Sequence, residues 1–448
     1  MSLCINILTK PVLTMNKTLY LIITVLSISF INAGAQEREI PELHEKNFQI
    51  TFFTPPFSTN WVQNSKTVNK VSLNLFIGNA GGVNGAELGY FINSVNYYVK
   101  GFQGAGFGNV VGGSVDGAQL AGFFNINGGS TRSFQGAGFF NISGKYVQGA
   151  QLAGFFNVGG ADVTGFQGAG FFNVSGGNTK GAQGAGFGNV SSGITQGAQL
   201  AGFFNVAGEY IRGAQLAGFV SVAGKGTVNA QLSGLGNFAK EINGAQLAGF
   251  VNIAGNVKGT QLAGFLNVCD SIDGVPIGFI NVVSKNGYRH FDFTFSETQF
   301  FNFSYRMGVR HFHNIYSIGK PSGPGNRWLM GFGMGGQADI RENMSLNIEA
   351  LVNQEFWIGD PRTGRLFHID RLNLLNQVRI LFAYKAQEKV EMFFGPTLNI
   401  AVAETNPDIG YFPWYEIGPN WAFYERTHGN TGMTNVKIWI GISGGVRL

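Results

Sequence analysis

The chain has 448 residues, enough for more than one domain or for one large all-β domain. It carries 68 Gly and 42 Phe, yet only 12% of its residues are charged and the net charge is +5. That aromatic content excludes a disordered chain, Gly without a three-residue period excludes collagen, and the lack of any Lys/Arg-rich run argues against a nucleic-acid partner.

Residues 1–35 predict an export signal. Lys17 precedes the apolar run Leu19–Ile31, and Ala33-Gly34-Ala35 is a small-residue cleavage site, with the cut expected after Ala35. Met15 reads as the start, which leaves residues 1–14 as an upstream mis-start. The competing reading is a membrane anchor helix, for which the run is short against the ~20 residues a span needs. No Cys stands at the cleavage site, so no lipoprotein anchor is expected. Cys4 leaves with the signal, and Cys269 is then alone, which excludes an intrachain disulfide framework. Residues 36–70 form an N-terminal segment with one predicted strand.

Residues 71–285 are a repeat. Gln recurs at every sixteenth position from Gln103 to Gln231, then at Gln246 and Gln261 after steps of fifteen. Glu87 fills the place before and Val275 the place after, and a weaker copy, SLNLFIGNAGG, starts at Ser72. Six residues beyond each Gln stands an Asn, from Asn93 to Asn267, and only Ser221 breaks that series. A strict period of this kind marks a structural array of one small unit.

Each unit predicts a strand: about twelve residues without proline, closed by a polar Gly-rich turn such as GGSTR or GGNTK. Side chains alternate along a strand, so Gln119, Ala121, Phe123 and Asn125 are expected on one nearly invariant face. Ala118, Leu120, Gly122, Phe124 and Ile126 form the other, which varies only among apolar residues and Gly. The first face suits amide ladders, each amide bonding its equivalent on the next strand. Two arrays fit. In a β-solenoid each unit is one coil, which stacks like on like. In an antiparallel meander each unit is one strand of a membrane barrel wall, whose lipid face accepts apolar variation. A two-unit rhythm, Phe102, Phe134 and Phe166 before Gln in alternate copies and Ala118, Ala150 and Ala182 between them, favours the meander, although it fails at Ala198.

Beyond Lys285-Asn286-Gly287, a hairpin signal, residues 286–448 alternate cleanly and predict eight strands. Lys389–Ala403 sets Met392, Phe394, Leu398 and Ile400 against Glu391, Thr397 and Asn399. The last strand sets Val436, Ile438, Ile440, Ile442, Val446 and Leu448 against Lys437, Trp439, Ser443 and Arg447. The others are Arg289–Ser296, Gln299–Val309, Phe312–Gly319, Arg327–Ile340, Asn343–Glu355 and Leu372–Lys385. Short connections alternate with long ones, as in outer-membrane barrels, which keep short turns on the periplasmic side. The soluble alternative is a two-sheet sandwich. The longest connection, Thr405–Asn435, carries Tyr411, Trp414, Tyr415, Trp421 and Tyr424, which suit a membrane aromatic belt or a surface ligand of unknown identity.

The copies G-x-Q-x-A-G-F-x-N, the shortened copy GVPIGFINV and the following NGYRH resemble a family of bacterial surface-repeat proteins. The resemblance covers Leu73 to Leu448 and implies a signal peptide and an outer-membrane or cell-surface location. The Phe-rich unit departs from the more aliphatic repeats of that family.

Residues that could carry chemistry are few. His311 and His313 form an H-x-H pair without a third ligand, and His290, His368 and His428 stand isolated. GAGFGN is Gly-rich but opens no phosphate-binding βα unit, and no G-x-S-x-G elbow occurs. Glu349, Glu355 and Arg379 are expected to face one interior as a charge network, with no Ser–His pair beside them to make a lipid-modifying barrel enzyme. Cys269 reads as an incidental thiol. No catalytic, cofactor or metal residue is therefore assigned and no cofactor is expected. The expectation is an all-β, exported, non-enzymatic outer-membrane protein in contact with membrane lipid, with a structural or surface-display role. The alternative is an outer-membrane pore or transporter.

Overall fold

The computed structural model describes residues 40–54, 57–322, 326–359, 366–369, 372–405, 417–428 and 433–448. Residues 1–35, where the export signal is expected, and Tyr411, Trp414 and Tyr415 lie outside them, as do the side chains of His368 and His428. The chain divides into two compact units between Lys258 and Gly259.

In the first unit each sixteen-residue copy makes two strands meeting at a corner. One copy gives Val147–Ala153 and Phe156–Gly159, and the next gives Val163–Ala169 and Phe172–Ser175. The copies pair in parallel and in register, Gln151 against Gln167 and Asn157 against Asn173. The array is thus a β-solenoid, of about 13 turns among the described residues. It opens with His44–Phe53, which pairs in parallel with Thr67–Gly89 and bends back through Phe57–Ser58 and a 3-10 turn at Trp61–Lys66.

The antiparallel meander of repeats does not form. An amide ladder needs the same amide at the same height on its neighbour, and stacked parallel coils supply that for every copy at once. The rhythm that favoured the meander has another cause. A Cβ on Gly136 would lie 2.9 Å from the Phe134 ring and 2.8 Å from a Leu120 methyl. Phe with Gly in one coil and Ala with Leu in the next exchange volume across Gln, so that the space over each Gly is filled by a neighbouring Phe and Leu. From Ala198 on the exchange lapses, and Leu200, Leu216 and Leu232 stack directly on one another.

The predicted twelve-residue strand is also interrupted. Gly154 sits at the corner, where a Cβ would come within 2.1 Å of the Gly138 carbonyl oxygen of the preceding coil. The backbone turns there, and the following Phe points outward. Phe123, expected beside Gln119 and Asn125, is accordingly on the outside, 39% exposed, while both amides are fully buried. The interior is amide-filled near this corner. Toward the opposite edge it is apolar in the first coils, built from Ala80, Val83, Val95, Val99, Val111 and Val115, and hydroxyl-lined in later ones, where Thr131 meets Ser143 and Thr179 meets Ser191.

In the second unit the last coils stack likewise, Asn267 against Asn281. Pairing then becomes antiparallel, in the strands Tyr288–Ser296, Gln299–Val309, Phe312–Pro321, Arg327–Arg341, Met344–Ile358, Asn373–Gln387, Val390–Thr405 and Met433–Arg447. Each pairs with the next in chain order, and the first also pairs with the last, Asp292 against Arg447 and Phe293 against Val446. The eight strands therefore form a closed cycle of pairs. Short strands Phe367–His368 and Tyr424–His428 add to Met344–Ile358 and Met433–Arg447. One face of the cycle buries Arg306, Glu349, Arg379, Asn399 and Arg447, while Ile348, Phe382, Phe394 and Ile440 are exposed on the other.

Candidate functional site

Three arrangements stand out, each built by residue type and spacing. The first is a pair of amide ladders inside the coils. Gln119 Nε2 donates to Gln103 Oε1 at 2.7 Å, Gln135 to Gln119 at 2.9 Å, and so on to Gln246, which donates to Gln231 at 2.9 Å. From Gln103 to Gln246 each Gln of the ladder donates toward the N-terminus. Asn runs the other way: Asn93 Nδ2 donates to Asn109 Oδ1 at 2.9 Å, and Asn189 to Asn205 at 2.9 Å. The second Asn hydrogen bonds a backbone carbonyl of the following coil, as Asn157 does to Gly168 at 2.7 Å. These amides are fully buried, and partnering them offsets a desolvation that costs ~1–3 kcal/mol for each group left unpaired.

Glu87 is where the two ladders meet. Its Oε2 accepts from Gln103 Nε2 at 2.7 Å and its Oε1 from Asn74 Nδ2 at 2.8 Å. A glutamine there would set its own NH2 donor against one of these two donors. Burial pushes the Glu87 carboxyl up to about 7, against the three hydrogen bonds from Gln103, Asn74 and Ser72 that pull it down.

The second arrangement is external. Phe91, Phe107, Phe123, Phe139, Phe155, Phe171, Phe187, Phe203 and Phe219 stack in one file, with neighbouring ring centroids 4.7–5.2 Å apart. These rings, expected on the face of Gln and Asn, lie on the outside of the coil.

The third is the inward face of the closed sheet. Arg447 donates to Asp292 Oδ1 at 3.0 Å, to the Tyr288 hydroxyl at 2.9 Å and to Asn347 Oδ1 at 3.0 Å. Arg306 donates to Asp292 Oδ2 at 2.7 Å, and its Nη2 lies 2.7 Å from Glu349 Oε1. Of the predicted network, Glu349 and Arg379 stand opposite each other in register. Arg379 donates to Gln377 Oε1 at 2.6 Å. Glu355 instead accepts from Arg327, with Nη2 to Oε2 at 3.0 Å, and from Asn373. Sequence alternation marked Arg447 and Lys437 as inward but could not bring Arg447 to Asp292 and Arg306, because the last strand is distant in the chain from the first two.

The H-x-H pair splits although residues two apart share a strand face, because His311 lies in the turn before Phe312–Pro321. His313 is inward, 2.8 Å from Arg306 Nη1, and His311 is outward, 3.0 Å from the Gly274 carbonyl oxygen. No group of three or more His, Cys, Asp or Glu among the described residues could hold a metal. Cys269 is buried, and burial pushes its thiol up to about 12, so it is a poor nucleophile. Among the described residues no helix is long and apolar enough to cross a membrane.

No protein-family model, no curated protein and no solved structure matches this chain.

Proposed function

We propose that this is an exported, non-enzymatic repeat protein of the outer membrane. In this reading the C-terminal eight strands form a membrane-spanning barrel, and the solenoid is the structural or display element it holds. The observation that carries the reading is the closed cycle of strands with ionic groups inward and apolar side chains outward, the inverse of a soluble sandwich and the arrangement lipid requires. The resemblance of the repeat to bacterial surface-repeat proteins and the export signal agree with it.

A pore is the competing reading, since the inward faces are polar. Against it, Arg306, Arg327, Arg379, Arg447 and Trp439 are fully buried and occupy that interior. The full chain is expected to fractionate with outer membranes, to need detergent, and to migrate faster on a gel unboiled than boiled. It should give no conductance in planar bilayers. A full chain that stays monodisperse in buffer without detergent would remove the barrel reading, and steady single-channel currents would replace display by transport.

A further inference from the structure

Every coil of the first unit has one wet edge and one dry edge. In the copy from 147, the outward side chains run from Gln148 through Ala150 and Leu152 to the corner Phe155, then on to Phe156. No copy between residues 92 and 254 has a charge from the position before Gln to the second residue after Asn. The charges of this unit gather at the opposite edge, in the turns and three residues before Gln, as Arg132, Lys145, Lys180 and Lys225 illustrate. Between residues 92 and 258 there are eight basic and four acidic side chains.

The dry edge is too large for a soluble surface. Nine stacked rings at a coil spacing of ~4.8 Å make a file ~40 Å long. With the flanking Leu and Phe positions it covers on the order of 600–800 Å², more than the largest apolar patch of a typical monomer. Its depth is informative. Three residues of strand lead from Ala150 to Ala153, ~10 Å at ~3.3 Å per residue, before the corner that carries Phe155, and one leaflet of hydrocarbon, half of ~30 Å, is deep enough to take that edge. Outward positions also trade Leu for Gly and Phe for Gly or Val between coils, while the inward Gln stays fixed. A shaped protein partner would not tolerate that, and fluid chains do.

We propose that the Phe edge of the solenoid is sunk into one leaflet of a bilayer. The basic edge then lies at the level of anionic head groups, where long Lys and Arg stems reach the interface. The array in this arrangement lies in the membrane surface along its length. Within the second unit, Phe265 and Phe279 stack with centroids 6.0 Å apart, and the Phe279 ring packs 5.3 Å from Phe332 on the outward face of the antiparallel sheet. That last argument rests on the barrel reading, while the depth and charge arguments do not.

The test uses the full chain with Cys4 and Cys269 replaced by Ser, reconstituted in phosphatidylcholine–phosphatidylglycerol bilayers. Single cysteines carry a nitroxide at Phe155 and Phe187 on the dry edge, at Lys145 and Lys180 on the wet edge, and at Phe394 and Ile440 on the sheet. Oxygen collisions should exceed those of a water-soluble nickel chelate several-fold at Phe155 and Phe187, with the order reversed at Lys145 and Lys180. Labels at Leu152 and Leu200, where other coils carry Gly, repeat the reading if a Phe variant does not fold. Nickel access at Phe155 and Phe187, or shielding from both reagents as beneath a second protein copy, overturns the proposal. Phe394 and Ile440 report separately. Wet there but dry at Phe155 ends the barrel reading and leaves this one standing, and the reverse ends this one alone.

Discussion

Ser133 occupies a backbone position that its neighbours leave to glycine. Two residues before each Gln the chain takes a positive φ, 141° at Gly117 and 133° at Gly149, and Ser133 is held there at 104°. A side chain in that region costs ~1–3 kcal/mol. Ser133→Gly is expected to raise stability by about 1 kcal/mol in denaturant melts, and Gly149→Ala to lower it by more, because its Cβ would lie 1.9 Å from the Ser133 carbonyl oxygen. Glu87 gives a pH signature. Its carboxyl is raised from 4.5 to about 7, so folding favours the protonated form. The contribution is full below pH 4.5 and is lost as pH rises through 7, by on the order of 3 kcal/mol. Stability should fall between pH 5 and pH 8, and Glu87→Gln should flatten that slope; an unchanged slope would place the titration elsewhere. The Gln and Asn series were legible in the sequence as buried ladders because nothing else makes an amide invariant in an apolar stretch. Their direction was not, since donor and acceptor ends of an amide look alike in a sequence.

At the scale of the coil, two serines form a repair. Ser221 breaks the Asn ladder, and its Oγ has no hydrogen-bond partner. One coil on, Ser233 stands where other copies carry Ala, and donates to Asn237 Oδ1 at 2.9 Å, filling the acceptor that the missing Asn would have served. Ser233→Ala should therefore cost about 1 kcal/mol in the native chain and almost nothing in a Ser221→Asn background. Additive losses in that double-mutant cycle would refute the compensation. Strand existence was legible here and the corner was not. Gln and Asn are six residues apart, an even number, so both point inward whether the strand runs straight or turns through Gly and Phe. Alternation cannot separate the two cases, and the unvarying Gly three residues after Gln was the clue left unused. The C-terminal strands, without an internal corner, fall within a few residues of where their alternation put them.

Across the whole molecule, closure of the eight-strand cycle depends on Arg447. It lies in the last strand and bonds Asp292 in the first, Asn347 in the fifth and, at 3.2 Å, Glu391 in the seventh. Arg447→Ala leaves Asp292 with Arg306 alone and takes a cation from Glu391, and should cost ~3 kcal/mol, read as a lower urea midpoint in detergent micelles; Arg447→Lys should recover only part, lacking the planar fork. No local pattern announces that a first strand will meet a last, because pairing between residues 155 positions apart is settled by the whole sheet's curvature. The polar and apolar faces that make closure worthwhile were readable strand by strand.

Identical coils have one more consequence. Each presents to its successor the surface it received from its predecessor, so the array has no preferred length. Excising residues 149–164 should join Gln148 to Gly165 with both ladders intact, leaving the melting temperature within a few degrees, whereas removing eight residues should abolish folding. The gene can then gain or lose copies by recombination between its near-identical repeats, and the protein becomes a ruler whose ticks, ~4.8 Å apart, can be counted out by selection without redesigning any one of them.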